Sequence, residues 1–125
     1  MLRICNAYGG TECTFNSTIN WPASDPTNAI NIGTGAGLVT WVVDAQDHDR
    51  LLPPGCDGEL LLEGPLVGAG YLGDPEKTAS TFIKPPSWLI RGRIGQGQKG
   101  QHGQLYKTGD LVRYNRDGSL KFLGR

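Results

Sequence analysis

The segment "NAYGGTE", which runs from position 6 to position 12, combines several groups that could act on a nucleotide. The ring of Tyr8 could stack on a base, because an aromatic face in a loop offers contact area at little entropic cost. Glu12 is a hard oxygen ligand suited to Mg²⁺, which takes one or two carboxylates and completes its shell with phosphates and water. Thr11 could donate its hydroxyl to a phosphate. The segment therefore suggests a nucleotide site.

Each of these residues also has a purely structural interpretation. Tyr8 could be a half-buried core tyrosine, and Glu12 a solvated surface acid. Gly9 and Gly10 indicate a tight turn or a close approach of backbone to ligand, and glycine alone does not distinguish the two. Thr11 could simply hold the turn.

A second candidate lies in "YKTGDL", where Asp110 follows a glycine. The two oxygens of a carboxylate can accept hydrogen bonds from the vicinal hydroxyls of a ribose, as in dinucleotide-binding folds. The alternative is a turn aspartate that accepts from local amides.

Other patterns do not support a site. "GTGAGL" has Leu38 where a dinucleotide-binding fingerprint needs its last glycine. Asp44, Asp47 and Asp49 loosely resemble a calcium-binding loop, but Gly55 stands where such a loop needs a bidentate acid, which favours a solvated turn. His48 and His102 stand in polar segments without a nucleophile pattern. The sequence contains no GxSxG, HExxH or P-loop.

Composition excludes several classes of protein. The 125 residues are a single domain by length, with 12 Lys plus Arg, 12 Asp plus Glu and no basic run, so no nucleic-acid partner is expected. No apolar run reaches membrane-spanning length, and the start lacks a signal peptide. Three cysteines without CxxC spacing indicate neither a disulfide framework nor zinc. We expect a soluble chain in the reducing cytoplasm.

The elements that must position these residues are mostly short strands, as 19 glycines and 8 prolines indicate. The pattern predicts strands at 2–5, 38–44 and 59–64, the last apolar on both faces and therefore internal. Asp74 caps a predicted helix that ends near Ile83. Asp117-Gly118 predicts a hairpin between two final strands. Residues 16–37 and 92–104 are predicted to be mostly loop. The predicted fold is mainly β with one or two short helices (α+β).

The order of the motifs is more specific than any one of them. "NAYGGTE", then "GELLLEGPLVGAGYLGDPEKT", then "YKTGDLVRYNRDGSLKFLGR" resembles consecutive core motifs of the adenylate-forming superfamily, over nearly the whole chain. The closest resemblance is to the amino-acid-activating adenylation domain of nonribosomal peptide synthetases, in particular fungal ones. It implies an ATP-dependent ligase that uses Mg²⁺, makes an aminoacyl-adenylate, and transfers the acyl group to a carrier-protein phosphopantetheine thiol.

The resemblance also implies roles for single residues. Tyr8 would stack on adenine, Thr11 would meet the α-phosphate, Glu12 would hold Mg²⁺, and Asp110 would bind both ribose hydroxyls. The remaining implied contacts are Asn6, Gly9 and Arg125 in the nucleotide site and Ala7, Phe15 and Asn16 in the amino acid pocket. Gly10 stands where the family usually has proline. Because proline lowers the entropy of the unfolded chain, glycine here predicts a loop whose ordered form is less stable by about 0.4–1 kcal/mol.

In family terms, residues 1–16 would be the last strand and nucleotide loop of the large subdomain. Residues 17–125 would be an incomplete, distorted antiparallel β-barrel subdomain that ends just before the hinge. The phosphate loop, the amine-pairing aspartate and the catalytic lysine are expected elsewhere in a longer parent, so we expect this chain alone to be inactive. Its expected partners are the amino acid, the rest of the adenylation domain, and peptidyl carrier and condensation domains. Two alternatives stay open: an acyl-CoA-synthetase-type ligase and a non-catalytic β-rich binding module.

Overall fold

The computed structural model describes residues 5–13, 17–21, 30–95 and 104–125, with the side chains of residues 93–95 excepted. The described strands are β1 (Asn6–Tyr8), β2 (Thr18–Asn20), β3 (Asn31–Gly35), β4 (Val39–Val43), β5 (Gly58–Glu63), β6 (Phe82–Ile83), β7 (Leu105–Tyr114) and β8 (Leu120–Gly124). The described helices are α1 (Pro75–Thr81) and α2 (Ser87–Gly95). Of the predicted features, most of the strand at 2–5, Phe15, Asn16, His102 and most of the loop at 92–104 lie outside the described residues.

The strands form one sheet in the order β1-β2-β3-β8-β7-β5-β4, and β6 adds to β7. Every described pair is antiparallel. All six residues of β5 are buried, since β5 lies between β4 and β7. Its predicted internal position is therefore confirmed.

The side chains of β5 alternate between two apolar clusters, one on each face of the sheet. Leu60 and Leu62 belong to a cluster with Phe82 and Tyr106. Leu61 faces the other way and packs in a smaller cluster that contains Leu89 of α2. Burial on both faces explains why β5 is a continuous apolar run rather than an alternating one.

β3 and β4 are joined by only three residues, although they stand four places apart in the sheet. The four steps between Gly35 and Val39 span at most about 15 Å. In a flat sheet the four interstrand steps from β3 to β4 would separate them by about 19 Å. Curling toward a barrel therefore follows from the short connection between these two strands.

The described strands nevertheless do not close into the predicted barrel. The two edges of β3 are taken by β2 and β8, so among the described strands β4 pairs with β5 alone, and β1 and β4 remain at the ends of the path. Apart from closure, the prediction of a mainly antiparallel β fold with two short helices is confirmed.

Local signals correctly located several elements. The side chain of Asp74 accepts from the amide of Lys77 and caps α1, with Pro75 in its first turn. The hairpin between β7 and β8 closes where Asn115 donates to the carbonyl of Ser119, and Gly118 has φ +85°. Neither described helix is long and apolar enough to cross a membrane.

The prediction that residues 16–37 are mostly loop was wrong for two segments, β2 and β3. Both are polar or glycine-rich and depend on their neighbours: Gly33 lies so close to Ile19 that an added Cβ would be 2.0 Å from its carbonyl oxygen. The start of the loop predicted at 92–104 was also wrong, because α2 continues to Gly95. Trp88 and Leu89 hold α2 against the sheet through contacts that no helical pattern reveals.

Candidate nucleotide site

Asp110 is positioned by a bulge in the long strand β7. Opposite β5, Leu61 pairs with Lys107 and Glu59 with Leu111, so two extra residues of β7 are accommodated between these pairs. Gly109 has φ +72°, a conformation that glycine adopts without strain. A bulge of this kind turns a side chain away from the regular alternation of a strand.

The polar groups of the bulge are satisfied by nearby side chains. Thr108 Oγ1 donates to the carbonyl of Leu60 at 2.8 Å and accepts from the amide of Asp110 at 3.1 Å. The amide of Gly109 donates to Oε2 of the buried Glu59 at 3.2 Å. The carboxylate of Asp110 takes no part in this local network, and the interpretation of Asp110 as a turn aspartate that accepts local amides does not describe its contacts.

The Asp110 carboxylate instead contacts two residues that are distant in sequence. Its Oδ2 accepts a hydrogen bond from the hydroxyl of Tyr8, and its Oδ1 lies 3.1 Å from Nε of Arg125. Asp110 is 8% exposed, whereas the Arg125 side chain is 78% exposed. Burial, together with the adjacent Asp110 carboxylate, raises the pKa of the Tyr8 phenol far above its usual value, so Tyr8 is a hydroxyl donor at all physiological pH values.

These three residues line a cleft of about 430 Å³. Asn6 and Ala7 of β1 contribute to one wall, and the apolar wall is formed by Ile30, Ile32 and Phe122. The ring of Tyr8 lies against Phe122, with centroids 6.3 Å apart and planes tilted by 42°. The cleft thus has a charged end and an apolar side, which is the combination that a nucleoside requires.

The loop that follows β1 carries three more of the predicted residues, Gly9, Thr11 and Glu12. Gly9 and Thr11 are exposed, and the amide of Cys13 donates to the carbonyl of Gly10 at 3.1 Å to close a turn. Glu12 is half-buried, and its Oε1 accepts from the hydroxyl of Tyr71 at 2.8 Å. This hydrogen bond lowers the pKa of Glu12, so the carboxylate is ionised at neutral pH.

The Glu12 loop and the Asp110 cleft share one apolar cluster. Burial, and then the hydrogen bond to Glu12, raises the pKa of Tyr71. Tyr71, which holds Glu12, and Tyr8, which donates to Asp110, both pack against that cluster. The structure therefore brings Tyr8, Glu12, Asp110 and Arg125 to one side of the sheet.

The donor set around Glu12 fits a magnesium ion shared with a phosphate better than a metal held by protein alone. Within the described residues, no group of three or more His, Cys, Asp and Glu side chains is arranged to hold an ion. Mg²⁺ needs only one or two carboxylates when phosphate oxygens and water complete its octahedron. An ionised, half-exposed Glu12 beside the exposed Gly9 and Thr11 meets that need.

Sequence reasoning missed two residues that hold the site. Tyr71 and Glu59 both stand in the motif "GELLLEGPLVGAGYLGDPEKT", but neither was assigned a role in the site. A buried glutamate that binds a backbone amide has no local pattern that separates it from a solvated one. Asp44 and Asp47 serve local turns by accepting from amides two residues ahead. Asp49 instead accepts from the amide and the hydroxyl of Ser87 at the start of α2.

Comparison with known proteins gives many relatives. The chain is 64% identical to nonribosomal peptide synthetase 30 of Fusarium vanettenii over 129 aligned positions, which are 99% of this chain and 2% of that protein. It is 65% identical to peramine synthetase A of Epichloe festucae over 123 positions, 98% of this chain and 4% of that protein. The chain thus spans a small part of the length of these relatives. No protein-family profile matches it.

Several solved structures also match the chain. The holo form of PA1221, a nonribosomal peptide synthetase protein with adenylation and PCP domains bound to a vinylsulfonamide inhibitor, superposes with a TM-score of 0.76 and 27% identity. The match covers 99% of this chain and 20% of that one. A putative long-chain-fatty-acid CoA ligase from Rhodopseudomonas palustris superposes with a TM-score of 0.70 and 29% identity over 98% of this chain and 25% of that one.

The chain is therefore homologous to a segment of fungal nonribosomal peptide synthetases, and its fold matches part of the adenylation domain of the adenylate-forming superfamily.

Proposed function

We propose that the chain is the nucleotide-binding wall of an amino-acid-activating adenylation domain. In the parent reaction a carboxylate oxygen of the amino acid attacks the α-phosphorus of ATP, the bond to the β-phosphate breaks, and pyrophosphate leaves. The aminoacyl group then moves from AMP to a phosphopantetheine thiol on a carrier domain.

The observation that carries this proposal is the contact between Asp110 and both Tyr8 and Arg125. Tyr8 comes from β1, Asp110 from β7 and Arg125 from the position after β8, and they meet in a cleft that has a charged end and an apolar side. The amino acid sequence places them in the motifs of the superfamily, and the relatives named above are nonribosomal peptide synthetases. Their meeting in one cleft is what binding of a single nucleotide requires.

Each residue has a definite task in this reaction. Asp110 accepts the two ribose hydroxyls, because a carboxylate has about four lone-pair sites and only two are used by Tyr8 and Arg125. Tyr8 offers its ring to adenine, against the apolar side formed by Phe122. Arg125 approaches the ribose and phosphate, and Asn6 and Gly9 complete the nucleotide loop.

The phosphate end of the site belongs to Thr11 and Glu12. Thr11 donates to the α-phosphate, and Glu12 would hold Mg²⁺, which offsets the charge that develops on the phosphate oxygens when it is bound. Ala7, on the wall of the cleft, would face the amino acid, together with Phe15 and Asn16. These assignments rest on the family motif, and for Thr11 also on its exposure.

Exchange of pyrophosphate into ATP tests the proposal. The intact domain that contains this segment should show amino-acid-dependent ATP–pyrophosphate exchange, whereas the 125-residue chain should show none, because one wall cannot position both reactants. Exchange by the 125-residue chain alone would contradict the proposal that it forms only one wall of the site. If the intact domain showed no exchange with any amino acid, the assignment as an amino-acid-activating ligase would be wrong.

The likeness to a CoA ligase supports a second candidate, an acyl-CoA-type ligase. Identity of about 60% with fungal synthetases favours the first. A panel of amino acids and fatty acids in the same exchange assay separates them. A β-rich binding module without catalysis would give no exchange with either panel.

We further propose that residues 1–16 end the large subdomain of the parent and that residues 17–125 are most of its β-barrel subdomain. This division rests on the family motifs, and the pairing of β1 with β2 would join the two subdomains across it. The rest of the adenylation domain, and the carrier and condensation domains, would be the partners in the cytoplasm.

A further inference from the structure

Glu12 is held from outside its own loop by two contacts with the segment at 68–71. The amide of Gly68 donates to the backbone carbonyl of Glu12 at 2.7 Å, and the hydroxyl of Tyr71 donates to Oε1 at 2.8 Å. One contact fixes the backbone of Glu12 and the other fixes its side chain. Together they determine where the carboxylate points.

Tyr71 is itself held in place by the start of α1. Nζ of Lys77 lies 4.3 Å above the centre of its ring, and the ring packs edge-on against Phe82 at 5.4 Å between centroids. The backbone amide of Tyr71 donates to Oγ1 of Thr78 at 2.9 Å. The position of the phenolic oxygen is therefore fixed by a capped helix rather than by a free loop.

The other carboxylate oxygen of Glu12 occupies space that a glycine leaves open. A Cβ at position 10 would lie 2.9 Å from Oε2, which is closer than real Cβ contacts allow. Tyr71 thus holds one carboxylate oxygen of Glu12, and the missing side chain at Gly10 leaves room for the other.

We propose that Tyr71 is a positioning residue for the metal–phosphate end of the site. It acts by holding the Glu12 carboxylate in the orientation in which that carboxylate meets Mg²⁺ of a bound Mg·ATP. The inference rests on the proposed function. A partner in the outer shell of a metal ligand typically changes metal affinity by about 10–100-fold, and the half-exposed position of Glu12 places Tyr71 at the lower end of that range.

The test measures ATP binding by calorimetry, rather than turnover, in the intact domain at a series of Mg²⁺ concentrations. Tyr71→Phe removes the hydroxyl and keeps the ring, so it should raise the Mg²⁺ concentration for half-maximal ATP binding by about tenfold. Binding of ATP without metal should not change. The matched control is Tyr114→Phe, which removes a phenolic hydroxyl bound to the carbonyl of Thr40 and should shift the Mg²⁺ requirement by less than about twofold.

A double substitution shows whether Tyr71 acts through Glu12. In the Glu12→Gln background, Tyr71→Phe should change the Mg²⁺ dependence by less than about twofold, because the group it positions is already lost. Equal shifts for Tyr71→Phe and Tyr114→Phe, or an undiminished shift in the Glu12→Gln background, would overturn the positioning role while leaving the proposed function intact. If the unsubstituted domain did not bind Mg·ATP, the proposed function and this role would fail together.

Discussion

Tyr8 donates its hydroxyl to the Asp110 carboxylate across 102 positions of sequence, so the phenol occupies an oxygen that the proposed function assigns to the ribose. The ring and the hydroxyl of Tyr8 therefore have separate effects. The ring provides a stacking surface for the nucleotide, and the hydroxyl supplies a donor to Asp110 when no ribose is bound.

Substitution of Tyr8 with phenylalanine separates these effects. Loss of the hydroxyl leaves Asp110 Oδ2 without this donor in the free protein, which destabilises the unliganded state by about 1–3 kcal/mol. Because the ribose hydroxyls restore a donor, Tyr8→Phe in the intact domain should lower the melting temperature and leave ATP affinity equal or higher, by thermal melting and calorimetry. Tyr8→Leu, which removes the ring as well, should weaken ATP binding. Weaker binding of ATP by Tyr8→Phe would show that the hydroxyl is a nucleotide contact instead.

Asp110→Ala should weaken ATP use whichever amino acid is supplied. Each hydrogen bond between a ribose hydroxyl and the carboxylate is worth about 1.5–3 kcal/mol, so KM for ATP should rise by at least about tenfold. The measurement is exchange at varied ATP with a fixed, saturating amino acid, repeated for two amino acids. A change in amino acid preference with unchanged ATP affinity would contradict the ribose assignment.

Gly33→Ala should destabilise the sheet at the junction of β2 and β3. A Cβ there would lie 2.0 Å from the carbonyl oxygen of Ile19, and Gly33 has φ +80°, so a loss of about 3 kcal/mol or more in the free energy of unfolding is expected. Gly55→Ala is the control, because Gly55 has φ +91° with open space around it and should cost only about 1–2 kcal/mol. Equal losses in denaturant unfolding would contradict the close approach of the two strands.

Cys13 should resist alkylation in the folded domain. Burial raises the pKa of its thiol to about 12, so near pH 8 only about one thiol in ten thousand is a thiolate. Cys5 and Cys56 are exposed. Peptide mapping after treatment with iodoacetamide should find label on Cys5 and Cys56 and, after denaturation, on Cys13 too. Labelling of all three at one rate in the folded protein would contradict the burial of Cys13.

The parts of the fold that sequence predicted are those with a local cause. The cap at Asp74, the turn at Gly118 and the apolar run of β5 each determine their structure within a few residues. β2, β3 and α2 have no such cause, because their backbone geometry depends on Ile19, Trp88 and other residues that meet only in the folded chain.

The same distinction applies to the site. Residue types alone suggested that Tyr8, Glu12 and Asp110 could bind a nucleotide, and only the resemblance placed them in one site. The bulge at Gly109 was not predictable, because a TGD sequence is equally compatible with a turn. Tyr71 and Glu59 were missed because their roles arise from partners that are distant in sequence.

The long span between Tyr8 and Asp110 also constrains how the protein reaches its native state. Closing a loop of that length costs about 4 kcal/mol of chain entropy. The Tyr8–Asp110 hydrogen bond can offset that cost only after β7 has paired with β5 and β8. Contacts of such high sequence separation slow folding. The cleft is therefore expected to form late, after the ladders of the central strands. During synthesis β1 can pair at once with the nearby β2, but Tyr8 must wait for Asp110, 102 positions later, before the charged end of the cleft exists.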